Sequence, residues 1–256
     1  MERIYAIVLA AGNGSRMGGD IAKQYRLLGG KPVLCHTLAA FEQSVVDAVV
    51  LVVQAGAEEY AQTQIVRKYG FCKVAAVIVG GSQRCDSVYA GMRYIMEACG
   101  ESGREAWIVL VHDGARPFGT PELAERMADA AKKNGCAVPA VPVKDTIKQV
   151  RDGFAAGTLQ REELYAVQTP QAFRAGLLWE AFGKYGQLAA QGDTCGQLLG
   201  ITDDAVLVER MLGMKAAVVD GDYRNIKLTT PDDMVVARAF LMEAEKTCLE
   251  KNKKSP

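Results

Sequence analysis

Five short apolar runs recur along the chain: IYAIVLA (4–10), AVVLVVQ (48–54), VAAVIVG (74–80), WIVLVHD (107–113) and CAVPAVPV (136–143). Each is rich in β-branched residues, as a parallel strand covered on both faces by helices must be. Helical patterns separate them. After Pro32, the residues Val33, Leu34, Leu38 and Phe41 share one face, and Val88, Met92, Ile95, Met96 and Cys99 form a second stripe. TPELAERMADAAKK offers Thr120 as a cap and Pro121 at the first helical position. The alternation predicts an α/β fold, a doubly wound and mostly parallel sheet.

The alternation breaks over 144–168, KDTIKQVRDGFAAGTLQREELYAVQ, where Asp152-Gly153 signals a hairpin between flanks of β character. Two readings stand: a surface hairpin, or an arm that packs on another subunit. A helical pattern resumes from Phe173. AVVDGDYRNIKLTTPDD then predicts a late strand, a loop and a last helix capped by Thr230 with Pro231 at its first position. With no internal repeat and no low-complexity linker, 1–256 reads as one domain.

Hydrophobic residues make up 49% of the 256, which excludes a disordered chain. Thirty Lys and Arg balance thirty Asp and Glu. That neutrality leaves no electrostatic footprint for nucleic acid or a membrane surface, so phosphate-binding charge has to be local. Seven Cys with no CxxC pair predict reduced thiols, and two His argue against a zinc site. The N-terminus carries charge at once and no long apolar run comes after it, so a cytoplasmic location is expected.

The chemistry is concentrated in LAAGNGSRMGGDIAKQY (9–25). A Walker loop fails, because Asp20 and Ile21 follow Gly19 where Lys is required. A dinucleotide fingerprint begins with Gly12 and Gly14, but Met17 replaces its third Gly and the second strand ends in Gln54. What remains is a strand ending in Ala10, Ala11 and Gly12, then a turn carrying Arg16 and Lys23. Small residues let the backbone approach a base or ribose, and turn amides can face phosphate oxygens. Fixed cations suit a reaction at a nucleoside triphosphate's α-phosphate, where charge grows on non-bridging oxygens and on leaving pyrophosphate.

Together with this loop, GGSQRCDSV (80–88), VHDGARPF (111–118), PVKDTIK (142–148), YAVQTPQAF (165–173), TDDA (202–205) and NIKLTTPDD (225–233) occur in the order of a known family. Over nearly its whole length the chain resembles the 2-C-methyl-D-erythritol 4-phosphate cytidylyltransferases of the non-mevalonate isoprenoid pathway. The resemblance implies a Rossmann-like sheet with a protruding β-arm at 144–168 that joins a homodimer. It also implies CTP and methylerythritol phosphate as substrates and a divalent metal, usually magnesium. Carried over motif by motif, Arg16 and Lys23 match the transition-state stabilisers. Ala10, Ala11, Gly12, Gly81, Ser82 and Ser87 match the nucleotide contacts. Asp113 and Arg116 fall in the acceptor region, Asp113 as a candidate for the metal shell and Arg116 with an ion-pair role as its alternative. Thr146, Arg161, Thr169 and Lys227 match the acceptor site, with Arg161 acting across the dimer. His112 is expected to be structural.

The chain departs from the family pattern at Ala22, where Pro is common, at Gly114, where Ala is usual, and in an apparent insertion near 187–201. Rival readings are a ribitol 5-phosphate cytidylyltransferase, a molybdopterin or sugar nucleotidyltransferase, and a non-catalytic nucleotide sensor. The cations argue against the sensor, which has no transition state to stabilise.

Overall fold

The apolar runs form strands. A computed structural model describes residues 2–12, 22–99, 106–190 and 200–254. The first half contains β1 (Ile4–Ala10), a 3-10 turn (Lys23–Tyr25), the short pair β2 (Leu27–Leu28) and β3 (Lys31–Pro32), and α1 (Val33–Glu42). It continues with β4 (Ala48–Val53), α2 (Glu58–Tyr60) running into a π-helical stretch (Ala61–Arg67), β5 (Val74–Val79), α3 (Arg84–Cys99) and β6 (Ile108–Asp113). Then come α4 (Pro121–Asn134), β7 (Cys136–Pro142), β8 (Lys148–Arg151), β9 (Phe154–Thr158), a 3-10 turn (Arg161–Glu163) and β10 (Tyr165–Val167). The last elements are β11 (Gln171–Arg174), α5 (Ala175–Ala190), α6 (Asp204–Leu212), β12 (Ala217–Asp220) and α7 (Pro231–Lys254).

The main sheet runs β10-β7-β11-β6-β1-β4-β5, with β12 on the other edge of β7. Strands β1, β4, β5 and β6 are mutually parallel. Helix α1, the 61–67 stretch and α4 cover one face through Leu34, Phe41, Ile65 and Met127. Helices α3, α5 and α6 cover the other through Met92, Ile95, Phe182 and Leu207. Each such side chain, fully buried, contributes roughly 1.5–3 kcal/mol, which explains why the strands carry no polar alternation. The chain leaves β1 for β4 and β5 on one side and returns to β6 on the other. That reversal opens a crevice at the carboxyl ends of the strands, where ligands bind in such sheets.

The helix boundaries follow local chemistry. Thr120 Oγ1 accepts the Leu123 N–H at 3.2 Å, and α4 stops at Gly135, whose φ of 85° a side chain would resist. At α7, Thr230 stands at the N-cap position before Pro231, and the Asp233 carboxylate accepts the backbone N–H groups of Thr229 and Thr230, each at 2.7 Å.

Three expectations need correction. Phe173 and Arg174, where the helical pattern is expected to resume, belong to β11 (171–174), an antiparallel strand wedged between β6 and β7. Phe173 in it is fully buried, and β-pairing on both sides outweighs the helical pattern of the residues after it. Residues 165–167 at the end of the proposed arm are β10, paired antiparallel with β7, so only 144–164 leaves the main sheet. Cys85 is disulfide-bonded, which neither the odd count nor the spacing predicts, whereas Cys35, Cys72 and Cys136 carry free thiols.

The arm itself is the predicted hairpin. Lys148 pairs with Thr158 and Arg151 with Phe154, and Asp152 and Gly153 turn the chain with φ of 50° and 82°. Positive φ at both central positions gives the tight turn that matches strand twist. The hairpin forms its own two-stranded sheet, with Phe154 79% and Val150 64% exposed.

Candidate active site

At the crevice lies a cavity of about 590 Å³. Its wall is built from residues at or just past the carboxyl end of each parallel strand: Ala10 to Gly12 at the end of β1, Gln54 and Ala55 after β4, Gly80 to Arg84 after β5, and Asp113 at the end of β6. Lys23, Gln24 and Lys227 complete it.

One wall is backbone and small side chains. A Cβ on Gly80 would stand 2.6 Å from Ser87 Oγ and 2.8 Å from the Ala11 methyl, and one on Gly81 would stand 2.1 Å from Asp86 Cβ. These glycines are required because the loop lies directly on the first turn of α3. Asp86 fastens it, its Oδ2 accepting from Ser82 Oγ and from the Gln83 N–H, both at 2.9 Å. Across the slot, Gln24 donates through Nε2 to the Ala10 carbonyl at 2.6 Å, tying the turn around Lys23 to the end of β1. Ala22 has φ −56° and ψ 140°, values that proline also adopts, so this departure from the family pattern leaves the backbone path in place.

The other wall is charged and centres on Asp113. Lys227 Nζ lies 2.9 Å from Asp113 Oδ2, Arg116 Nε 3.3 Å from the same oxygen, and Arg84 Nε 3.8 Å from Oδ1. Burial alone would raise the carboxyl's pKa, but Lys227, then Arg84 and Arg116, hold it well below the usual carboxylate range. Arg116 also donates to the Asn225 carbonyl at 2.7 Å, so its contacts are those of the ion-pair alternative.

Beneath Asp113 is a neutral hydrogen-bonded floor. Thr169 Oγ1 accepts the Asp113 backbone N–H at 3.1 Å and lies 2.9 Å from His112 Nδ1. The Thr169 carbonyl accepts from Asn225 Nδ2 at 2.8 Å. His112 is buried, and desolvation lowers its pKa to about 4, so it stays neutral. Its contacts are structural, as expected.

The structure therefore sorts the sequence candidates. Ala10, Ala11, Gly12, Lys23, Gly81, Ser82, Ser87, Asp113 and Lys227 line one cavity. Thr169 is not part of that lining: it is buried, and its hydroxyl meets the Asp113 N–H and His112 Nδ1 directly beneath it. Thr146 and Arg161 lie on the exposed arm outside the cavity lining, and Arg161 Nη1 reaches the Lys144 carbonyl at 3.4 Å. Arg16 and the 191–199 part of the apparent insertion lie outside the described residues. Sequence reading missed Gln24 and Arg84, although Gln24 adjoins Lys23 and Arg84 lies within the GGSQRCDSV run.

For a metal, Asp113 offers one carboxylate already engaged by three cations. Among the described residues no group of three or more His, Cys, Asp or Glu side chains could hold an ion. The donor set does not fit a protein-held cation.

A crevice of this type, pairing a slot of small residues with a cationic wall and lacking both the Walker lysine and the third dinucleotide glycine, belongs to a nucleotidyltransferase. The comparisons make the family specific. The chain belongs to the IspD family, 2-C-methyl-D-erythritol 4-phosphate cytidylyltransferase, whose sequence model matches residues 4–243. It is 44% identical over 241 residues to the 2-C-methyl-D-erythritol 4-phosphate cytidylyltransferase of Geobacter metallireducens, covering 94% of this chain and 98% of that protein. Among solved structures it resembles the 4-diphosphocytidyl-2C-methyl-D-erythritol synthase of Anaerococcus prevotii, with a TM-score of 0.75, 31% identity and coverage of 94% and 96%. The 2-C-methyl-D-erythritol 4-phosphate cytidylyltransferase of Thermus thermophilus gives 0.69 at 32% identity, covering 93% and 98%.

Proposed function

We infer that this protein transfers the cytidylyl group of CTP to 2-C-methyl-D-erythritol 4-phosphate, giving 4-diphosphocytidyl-2-C-methyl-D-erythritol and pyrophosphate. The observation that carries this reading is the meeting of the small-residue slot and the Lys23, Arg84 and Lys227 cations in one cavity of a chain belonging to this family. In this reading the slot of Ala10, Ala11, Gly81 and Ser87 frames the cytosine base and selects a pyrimidine over a purine. A phosphate oxygen of the acceptor attacks the α-phosphorus in line. The bond from that phosphorus to the bridging oxygen breaks, and its electron pair leaves on pyrophosphate. The attacking oxygen is already anionic, so no strong base is needed and positioning carries much of the rate. Lys23, with Arg16 by resemblance, stabilises the charge that grows on the α-phosphate and leaving group. Lys227 and Arg161 grip the acceptor phosphate. Magnesium, implied by the family, would arrive on the triphosphate oxygens as part of the substrate.

Arg161 lies on the arm outside the cavity lining of its own chain, which fits an acceptor contact made in a second subunit. The exposed Phe154 and Val150 support that reading, because an isolated two-stranded hairpin is marginal in water and these side chains gain burial on a partner. We propose a homodimer joined through 144–164, working in the cytoplasm. Among the described residues no helix is long and apolar enough to cross a membrane.

Pyrophosphate release, measured for CTP, UTP, ATP and GTP against methylerythritol 4-phosphate and ribitol 5-phosphate, tests the assignment. CTP with methylerythritol 4-phosphate is expected to lead. Comparable turnover with a purine triphosphate sinks the slot argument, and a preference for ribitol 5-phosphate reassigns the acceptor.

A further inference from the structure

The run TDDA, 202–205, opens α6, and its two acids do different work. Asp203 is the cap: Oδ1 accepts the Val206 N–H at 2.8 Å, and Oδ2 accepts from Gln171 Nε2 at 2.9 Å. Asp204 turns inward and is only 2% exposed. Its one partner among the described residues is Arg84, whose Nη2 stands 2.7 Å from Asp204 Oδ2. A carboxylate buried to this degree is costly to desolvate unless a cation and its hydrogen bonds compensate. The helix does not need it, since Asp203 already caps the first turn. Nor is burial the economical way to place an acid near a helix N-terminus, where an exposed one serves.

Arg84 carries the connection to the reaction. One edge of its planar guanidinium is held by Asp204, while Nε faces Asp113 Oδ1 at 3.8 Å. Arg84 also lines the cavity with Lys23 and Lys227. Asp113 is thus held from both sides, Oδ1 by Arg84 and Oδ2 by Lys227 and Arg116. Released from Asp204, Arg84 would be free to swing onto an incoming triphosphate, and Asp113 would lose the contact that fixes its plane.

We propose that Asp204 is a positioning residue for cytidylyl transfer: it holds Arg84 against the cavity wall, and through Arg84 fixes the orientation of the Asp113 carboxylate and its Lys227 partner. The inference rests on the activity proposed above and adds Asp204 and Arg84, which lie outside the nucleotide and acceptor contacts that the family resemblance supplies.

The test is a double-mutant cycle on the full chain, with kcat read at saturating CTP and acceptor. Asp204→Asn keeps the shape and an acceptor oxygen but removes the charge. It should lower kcat by about ten- to a hundredfold, as expected of a displacement near 1 Å at a reacting centre. In an Arg84→Ala background the same change should alter kcat less than about twofold, because the residue it acts through is gone. Effects that simply multiply overturn the proposal, as does an unchanged kcat in Asp204→Asn. Leu207→Ala loosens the same helix without touching the charges. It should lower the melting temperature while leaving kcat near wild type at a temperature where the protein is folded. An equal fall in kcat there assigns the effect to helix stability and overturns the proposal. Arg84→Lys keeps the charge and loses the two-sided fork. It should lower kcat about tenfold even if Asp204→Asn fails to fold, and wild-type turnover in it counts against the chain of contacts. A wild-type protein that releases no pyrophosphate refutes the activity instead, so the two failures are distinct.

Discussion

Lys227 Nζ and Asp113 Oδ2 lie 2.9 Å apart across the mouth of the cavity, the lysine from the segment after β12 and the aspartate from the last residue of β6. The lysine side chain is 36% exposed and the aspartate 10%, so the cation is the more open member of the pair and the anion lies deeper. The pair is arranged to be shared: an acceptor phosphate can take one face of the ammonium while Asp113 keeps the other. Lys227→Met should therefore leave the melting curve close to wild type and raise the acceptor KM at least tenfold, with a smaller change in KM for CTP. A loss of folding, or an unchanged acceptor KM, would show the pair to be purely structural.

His112 gives the floor a pH dependence of definite sign. Its pKa falls from 6.5 to about 4 on folding, so the unfolded chain binds the extra proton between those values. Stability from this group is complete above about pH 6.5 and is lost as pH falls toward 4, on the order of 3 kcal/mol across the window. Asp113 adds in the same direction below its ordinary carboxylate range, because its pKa is lowered too. Urea unfolding at pH 7 and pH 5 should show a clear drop, and His112→Gln should flatten it. A wild-type profile equally flat would remove the neutral, buried histidine from the account.

Lys23→Ala and Arg16→Ala should depress turnover about a hundredfold or more while weakening CTP binding much less, if both act on charge present only in the transition state. Steady-state turnover and direct CTP titration separate the two effects. Near wild-type turnover in either variant at saturating substrates would remove that residue from the catalytic group.

The arm can be tested without a structure. Arg161→Ala and Lys227→Ala homodimers should each be nearly inactive. If Arg161 serves the partner's site, mixing and exchanging them yields heterodimers in which one site carries both defects and the other neither. About half the dimers are then hetero with half their sites intact, so recovery approaches roughly a quarter of wild type by isologous symmetry. Complete exchange without recovery would place Arg161 in its own subunit.

Much of this was legible in the chain because the physics is local. The five apolar strands, the edge strand β5 included, announce themselves by unbroken apolar runs, the α4 start by Thr120-Pro121, and the hairpin by Asp152-Gly153. What was hidden depends on contacts between distant residues. Residues 171–174 pair with strands some sixty and thirty-five positions earlier in the chain, so no window around them reveals a strand. Thr169 matches a motif, but only the fold shows that its hydroxyl is consumed by Asp113 and His112, fifty-six and fifty-seven residues away. Arg84 lies inside the GGSQRCDSV run, yet nothing local marks its role, because its partner Asp204 is 120 residues downstream.

The late arrival of β11 has a consequence for synthesis on the ribosome. Strands β6 and β7 are parallel and not adjacent; the place between them is filled only by residues 171–174. When β7 has been made, the sheet therefore has a vacant position in its middle, with hydrogen-bonding edges on both sides. At elongation rates of about 5–20 residues per second, roughly thirty further residues take about 2–6 seconds to appear. During that interval the nascent chain presents two unsatisfied strand edges and the apolar pocket that Phe173 will occupy, which is the kind of surface chaperones bind. Nascent chains stalled before residue 171 has emerged should be digested readily within β6 and β7, and those stalled after α5 has emerged should resist. Equal protection at both lengths would mean that the sheet closes without its central antiparallel strand.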